Sequence, residues 1–173
     1  RVVGAAVVDH HDLEGPAEPV EGLHRTMVQL VERAHLVVQR DNDRELGLAS
    51  RTRFTGFVSD DERDALLAEA RVAVCPSVKE GWGITVIEAN ALATPVVATD
   101  APGLRDAVRH GETGFLVADG PEAPFAEALA ERIGTLLADA ALAERFSTAA
   151  LAWSRRFRWD AAAEITARTI ESA

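Results

Sequence analysis

"PSVKEGWGITVIEANALATPVVATD", residues 76–100, sets a glycine-rich turn between a short apolar run and a segment of helical period. One carboxylate, Glu80, stands just before the turn and a second, Glu88, one helical turn inside the helical segment. The run leading in, "VAVCP" at 72–76, reads as a buried strand, and "PVVAT" at 95–99 as the next one. Both are Val-rich and apolar on two sides, the composition of strands covered by helices on each face of a parallel sheet. Strand, glycine turn, helix, strand is the repeating unit of an α/β fold.

Outward from this unit the pattern continues. Further strands are expected at 2–8, 35–39, 52–57 and 114–118. "SDDERDALLAEA" predicts a helix that Ser59 caps, with Glu62 closing a capping box, Ala65, Leu66 and Ala70 on its buried face, and an end near Arg71. "GLRDAVRHG" predicts a short helix stopped by Gly111 in the left-handed C-cap conformation. Residues 122–173 predict a C-terminal helical segment: two Ala-rich helices, then a last one from Trp159. The clearest long loop is "HHDLEGPAEPV", residues 10–20.

The chain has 173 residues, 47% hydrophobic and 27% charged, which fits one globular domain with a sizeable core. Its 28 acidic and 18 basic residues give a net charge of -10, and no basic stripe is present, which argues against a nucleic-acid partner. A single cysteine, Cys75, sits in an apolar run; it can form no internal disulfide and reads as a buried, inert thiol compatible with a reducing compartment. No apolar run reaches the length of a membrane span, and the first residues lack the pattern of a secretory signal, so a soluble, cytoplasmic protein is expected. The only methionine is Met27, which predicts that sequence upstream of Arg1 belongs to the same protein.

The turn itself suggests chemistry. Gly81 and Gly83 free the backbone to turn and to approach a ligand, and the first N–H groups of a helix opening at Ile84 have no acceptor within it. Such a terminus, at the carboxyl end of a parallel strand, suits a phosphate. Thr85 and Glu88 share a helix face; Glu80 and Glu88, eight apart across a turn, do not. A carboxylate repels phosphate but accepts hydrogen bonds from hydroxyls beside it. Two carboxylates flanking an anion pocket therefore suit a ligand with polyols on both sides, as in sugar, diphosphate and ribose.

At these residues the chain resembles the donor-binding segment of retaining glycosyltransferases of the two-Rossmann-domain (GT-B) type, the group that includes glycogen synthases and bacterial mannosyl- and glucosyltransferases. The shared pattern is Pro-Ser at the strand end, Glu-Gly-aromatic-Gly, a second Glu eight residues on, a small-residue helix and "PVVA". It extends back through "RTRFTGFVSDDERDALLAEA" and forward through "APGLRDAVRHGETGFLV" to "FRW", covering 51–173; residues 1–50 are atypical. The resemblance implies one Rossmann-like donor-binding domain over 1–173, half of a GT-B fold, acting on a nucleoside-diphosphate hexose with UDP, GDP or ADP undetermined.

By the same resemblance Glu80 is the catalytic carboxylate, bonding hydroxyls of the transferred sugar and supporting positive charge at its reacting carbon, while Glu88 takes the ribose hydroxyls. Gly81, Trp82, Gly83, Ile84 and Thr85 hold sugar and diphosphate, and Val58 to Asp60 lie near the base. No metal or other cofactor is implied. The acceptor domain is expected in cis or from a partner subunit. One departure stands out: the family's Gly-Arg-x-x-x-x-Lys turn, whose cations grip the diphosphate, is not found, which leaves Lys79 and Arg105 as the nearest cations by sequence.

Other readings compete. A dinucleotide-binding turn would use "GWG" with Asp100 on the ribose, but Val86 occupies its third glycine position and "SVKEG" is too long for that tight turn. Trp82 is either a sugar contact or a plug for the loop. Trp153 and Trp159 read as packing residues, and Gly103, Gly111 and Gly114 as turn and cap residues. "DHHD", Asp9 to Asp12, has metal-ligand residue types but no second cluster beside it. The alternative function, from another class, is a non-catalytic or split module that docks on a partner glycosyltransferase.

Overall fold

The computed structural model describes residues 6–8, 36–37, 52–53, 55 and 57–172. Its strands are β1 (Ala6–Val8), β2 (Leu36–Val37), β3 (Thr52–Arg53), β4 (Val72–Cys75), β5 (Val96–Thr99) and β6 (Gly114–Val117). They form one sheet in the order β3-β2-β1-β4-β5-β6. The helices are α1 (Asp60–Glu69), α2 (Ile84–Ala91), α3 (Leu104–Ala107), α4 (Glu122–Ala138), α5 (Ala140–Ser154) and α6 (Trp159–Glu171).

The α/β class holds. β4, β5 and β6 are parallel, with Ala73 beside Val96 and Val96 beside Gly114. β2 and β3 are also parallel, but β1 runs antiparallel to both β2 and β4. Side-chain alternation is the same read in either direction along a strand, so the residues of β1 carry no signal for its reversal. Outside the described residues fall the rest of the strands expected at 2–8 and 35–39, residues 54 and 56 of the one expected at 52–57, the loop at 10–20 and the Asp9 to Asp12 cluster. Thr55 and Phe57 are described and are not strand, so the expectation at 52–57 is corrected there.

Alternation along the strands builds a core on each face. Ala73, Cys75, Val96 and Ala98 meet Leu67, Val86, Ala89 and Leu104 from α1, α2 and α3. Val72, Val74, Val97 and Phe115 meet Leu129, Ile133 and Leu136 of α4 and Phe146 of α5. Burial of each such Leu or Phe stabilises by roughly 1.5–3 kcal/mol. α5 also packs along α2, so it ties one face to the other. Among the described residues no helix is long and apolar enough to cross a membrane.

Helix starts follow local chemistry. The Ser59 hydroxyl accepts from Glu62 N–H at 3.2 Å, and the Asp139 carboxylate accepts from Leu142 N–H at 2.9 Å. The buried side of α1 is Leu67, however, with Leu66 and Ala70 half-buried and Ala65 exposed. Arg63, Leu67 and Ala70 share the side turned to α2, because the Arg63–Glu88 contact and Leu67 packing set the helix's rotation.

Three more expectations are corrected. α3 stops at Ala107, not at Gly111, because Val108 turns extended and buries its side chain; Gly111, at φ 78°, belongs to the following turn. Gly114 is the first residue of β6, where a Cβ would fall 1.9 Å from the Val96 carbonyl oxygen. Trp159 is 88% exposed, since α6 buries none of its residues.

Candidate functional site

The chain leaves β4 at Cys75, turns through 76–83 and enters α2 at Ile84. Gly83 caps that helix in the left-handed conformation, φ 75° and ψ 43°, and its carbonyl accepts from Val86 N–H at 3.0 Å. No side chain caps α2, so its first amides remain for another acceptor. Beside it, the start of α3 closes on the turn. A Cβ on Gly103 would lie 2.7 Å from the Glu80 carbonyl oxygen and 3.0 Å from Gly81. The loops after β4 and β5 therefore pack backbone to backbone at the carboxyl ends of neighbouring parallel strands. Gly81 faces open space, with nothing within 4 Å of a Cβ placed there.

Glu80 is half-buried, and its Oε1 atom is fully buried with no hydrogen-bond partner among the described residues. Cys75 lies within reach of it. Burial pushes the Cys75 thiol up, the Glu80 charge pushes the same way, and hydrogen bonds from the Ser77 backbone and the Thr85 side chain oppose them. Glu80 and Thr85 thus converge on one end of β4. The arrangement supplies a carboxylate oxygen, glycine backbone and free helix amides on one small surface.

Glu88 is one-third exposed and faces α1, where its Oε1 lies 3.6 Å from Arg63 Nη1. The same guanidinium meets Asp60 at 3.1 Å and Asp64 at 2.8 Å. The hydrogen bond to Asp64, then the charges of Glu88, Asp64 and Asp60, raise the Arg63 pKa against its partial burial. Arg63 therefore joins Asp60, which is exposed in the first turn of α1, to Glu88; Val58 is half-buried just ahead of that turn. Sequence reading missed Arg63. Its only local signal is the i, i+3 spacing from Asp60, since the contact with Glu88 arises from helix packing.

Of the two substitute cations, Arg105 is engaged: Nε donates to Asp100 Oδ1, and Nη2 to the Asp100 carbonyl at 3.0 Å. Lys79 is exposed on the turn. Asp100 is thereby drawn into an ion pair with Arg105.

Trp82 is 38% exposed and meets Phe157 edge to face at 4.7 Å. Phe157 in turn stands edge-on to Trp153 at 5.0 Å. Trp82, Ile84 and Glu88 form one wall of a groove of about 650 Å³ whose other wall includes Phe157, Trp159 and Ile165. Ile84, at 57% exposure, lines this groove at the mouth of α2.

The family described as glycosyl transferases group 1 matches residues 39–153. A phosphatidyl-myo-inositol mannosyltransferase of Mycobacterium leprae is 36% identical over 143 residues, 79% of this chain and 37% of that protein. A D-inositol 3-phosphate glycosyltransferase of Streptomyces griseus is 42% identical over 122 residues, 70% of this chain and 25% of that protein. The matched stretch is thus between a quarter and two-fifths of these relatives' length. Among solved structures, sucrose-phosphate synthase of Thermosynechococcus elongatus superposes with a TM-score of 0.72 at 28% identity, over 87% of this chain and 41% of that one. Anabaena HepE in complex with UDP-glucose gives 0.67 at 31% identity, over 76% of this chain and 35% of that one.

Proposed function

The chain belongs to the family of group 1 glycosyl transferases, and from that membership we propose that it is the donor-binding half of a retaining, GT-B-type transfer of a hexose from a nucleoside diphosphate. Residues 1–173 act in this reading as one Rossmann-like domain, with 122–173 as its C-terminal helical segment. The acceptor is held by a domain supplied in cis or by a partner subunit, in the cytoplasm.

The observation that carries the reading is the buried, unpartnered Oε1 of Glu80 inside a glycine turn that Gly103 pins from behind. A buried acceptor without a donor is costly, and a sugar hydroxyl supplies the missing hydrogen bond. Glu80 orients the hexose and its charge favours the positive character that develops at the reacting carbon. The bond from that carbon to the phosphate oxygen breaks, its electron pair leaves with the diphosphate, and the acceptor oxygen takes its place as the acceptor's proton is released. Amides from Gly81 to Thr85 meet the charge growing on the leaving diphosphate. Glu88, steadied by Arg63, accepts from the ribose hydroxyls, and Val58 and Asp60 border the base. HepE, a neighbour in fold, is described in complex with UDP-glucose, which supports a nucleotide-sugar ligand.

A second reading, a split module that docks on a partner glycosyltransferase without binding donor itself, is favoured by Arg105, whose charge is taken by Asp100. Calorimetric titration with UDP, GDP and ADP decides between them. Weak binding of one nucleotide, lost in Glu88→Ala, supports the donor site. No heat with any of the three favours the docking module.

A further inference from the structure

We propose that Phe157 and Trp153 are positioning residues for the Glu80–Gly83 turn, holding the Trp82 ring and through it the direction in which Glu80 and the first amides of α2 point. The inference rests on the donor reading of that turn and extends it to residues far along the chain.

The contacts close a ring. At one end, the start of α3 abuts the turn through Gly103, and a Cβ on Gly83 would meet Ala107 Cβ at 3.0 Å. From the other end of α3, the Ala107 carbonyl accepts from Trp153 Nε1 at 2.9 Å. Trp153 meets Phe157 at an interplanar angle of 83°, and Phe157 meets Trp82 at 70°, which returns to the turn. Edge-to-face pairs of this kind favour one relative orientation beyond their burial of area.

Trp153 and Phe157 are themselves anchored. The Arg109 and Arg156 guanidinium groups both lie 5.2 Å from the Trp153 ring centre. Phe157 N–H donates to the Ser154 carbonyl at 3.0 Å, which holds it to the end of α5. α5 in turn packs along α2, the helix the turn opens. Trp82 by contrast is more than one-third exposed on a loop, so its own burial does not fix it. Among the described residues, the aromatic ring it meets is that of Phe157.

The test is fluorine NMR on the whole chain labelled with 5-fluorotryptophan, the Trp82 resonance being assigned by Trp82→Phe. Phe157→Leu is expected to move that resonance toward its unfolded position and to weaken UDP-glucose, GDP-mannose or ADP-glucose binding about threefold to tenfold. Phe157→Tyr, which keeps the ring, should restore both. Trp153→Phe, which keeps a ring but loses the bond to Ala107, should move the resonance less. A Trp82 resonance unchanged in folded Phe157→Leu overturns the proposal; if that variant does not fold, an unchanged resonance in Trp153→Phe does so. A wild-type chain that binds none of the three nucleotide sugars refutes the donor reading alone, since the fluorine shifts still report whether Phe157 and Trp153 hold the Trp82 ring; a moved resonance with wild-type affinity in a chain that does bind overturns the positioning of Glu80.

Discussion

Gly103 lies so close behind Glu80 that a Cβ on it would stand 2.7 Å from the Glu80 carbonyl oxygen, well inside van der Waals contact. Its φ of 85° is also one that side chains rarely adopt. The two loops of the candidate site are therefore joined at a point where only hydrogen fits. Gly103→Ala should cost about 1–3 kcal/mol in denaturant unfolding, from backbone strain together with the clash. Gly120→Ala, whose Cβ meets open space, should be neutral or slightly stabilising in the same measurement.

Gly81 is where folding and the proposed binding can be told apart. A Cβ there has no neighbour within 4 Å, so Gly81→Ala should unfold at the wild-type denaturant midpoint. The space it enters is where the donor is proposed to lie. Nucleotide-sugar affinity should then fall at least about tenfold, since a methyl group blocks close backbone approach. Unchanged affinity would move the donor away from this turn.

Much of the fold around the candidate site is legible in the sequence, and the reason is that its signals are local. Val-rich runs two-sided in character, Ser59 with Glu62, and the glycines around Trp82 each act over a few residues, so β4, β5, β6, α1 and α2 fall where pattern places them. Arg63 and Phe157 were missed because their roles depend on helices meeting in space. Trp159 misled for the same reason: an aromatic residue reads as core, yet nothing in its own helix tells which face, if any, another element covers. The reversed direction of β1 is a matter of chain connection, which alternation does not encode.

Arg63 holds three carboxylates, of which Glu88 comes from another helix. The guanidinium is about one-third exposed, so Arg63→Ala should cost no more than about 1 kcal/mol, and less in high salt. The functional effect should be larger than the structural one. Glu88 loses the cation that offsets its charge beside the proposed diphosphate, and donor affinity should drop while the melting temperature barely moves. Calorimetry and thermal melts on the same variant compare the two.

Cys75 offers a readout by pH. Its pKa is raised in the folded chain, chiefly by burial, so the unfolded chain releases the thiol proton first as pH rises. This group's contribution to stability is therefore complete below the ordinary thiol range and declines as pH climbs through and above it. Native Cys75 should react slowly with a disulfide reagent at mildly alkaline pH, and fast after denaturation. Glu80→Gln removes a charge that opposes the thiolate, so it should quicken native labelling; an unaltered rate would place Glu80 away from Cys75.

Asn90 tests how a buried amide is accommodated in this fold. It is fully buried in α2, and neither Nδ2 nor Oδ1 has a hydrogen-bond partner among the described residues. A buried amide left unpaired costs on the order of 1–3 kcal/mol, whereas an apolar side chain of similar volume carries no such penalty. Leu is close to Asn in reach and has the higher helix propensity, by roughly half a kcal/mol. Asn90→Leu should therefore raise the urea midpoint with no change in slope, a sign that stability and not compactness has changed. Two outcomes discriminate further. A loss of stability would mean either that a bridging water satisfies Asn90 and Leu displaces it or that the larger Leu overpacks the site; a gain with donor binding intact would show that this amide serves neither the core nor the turn.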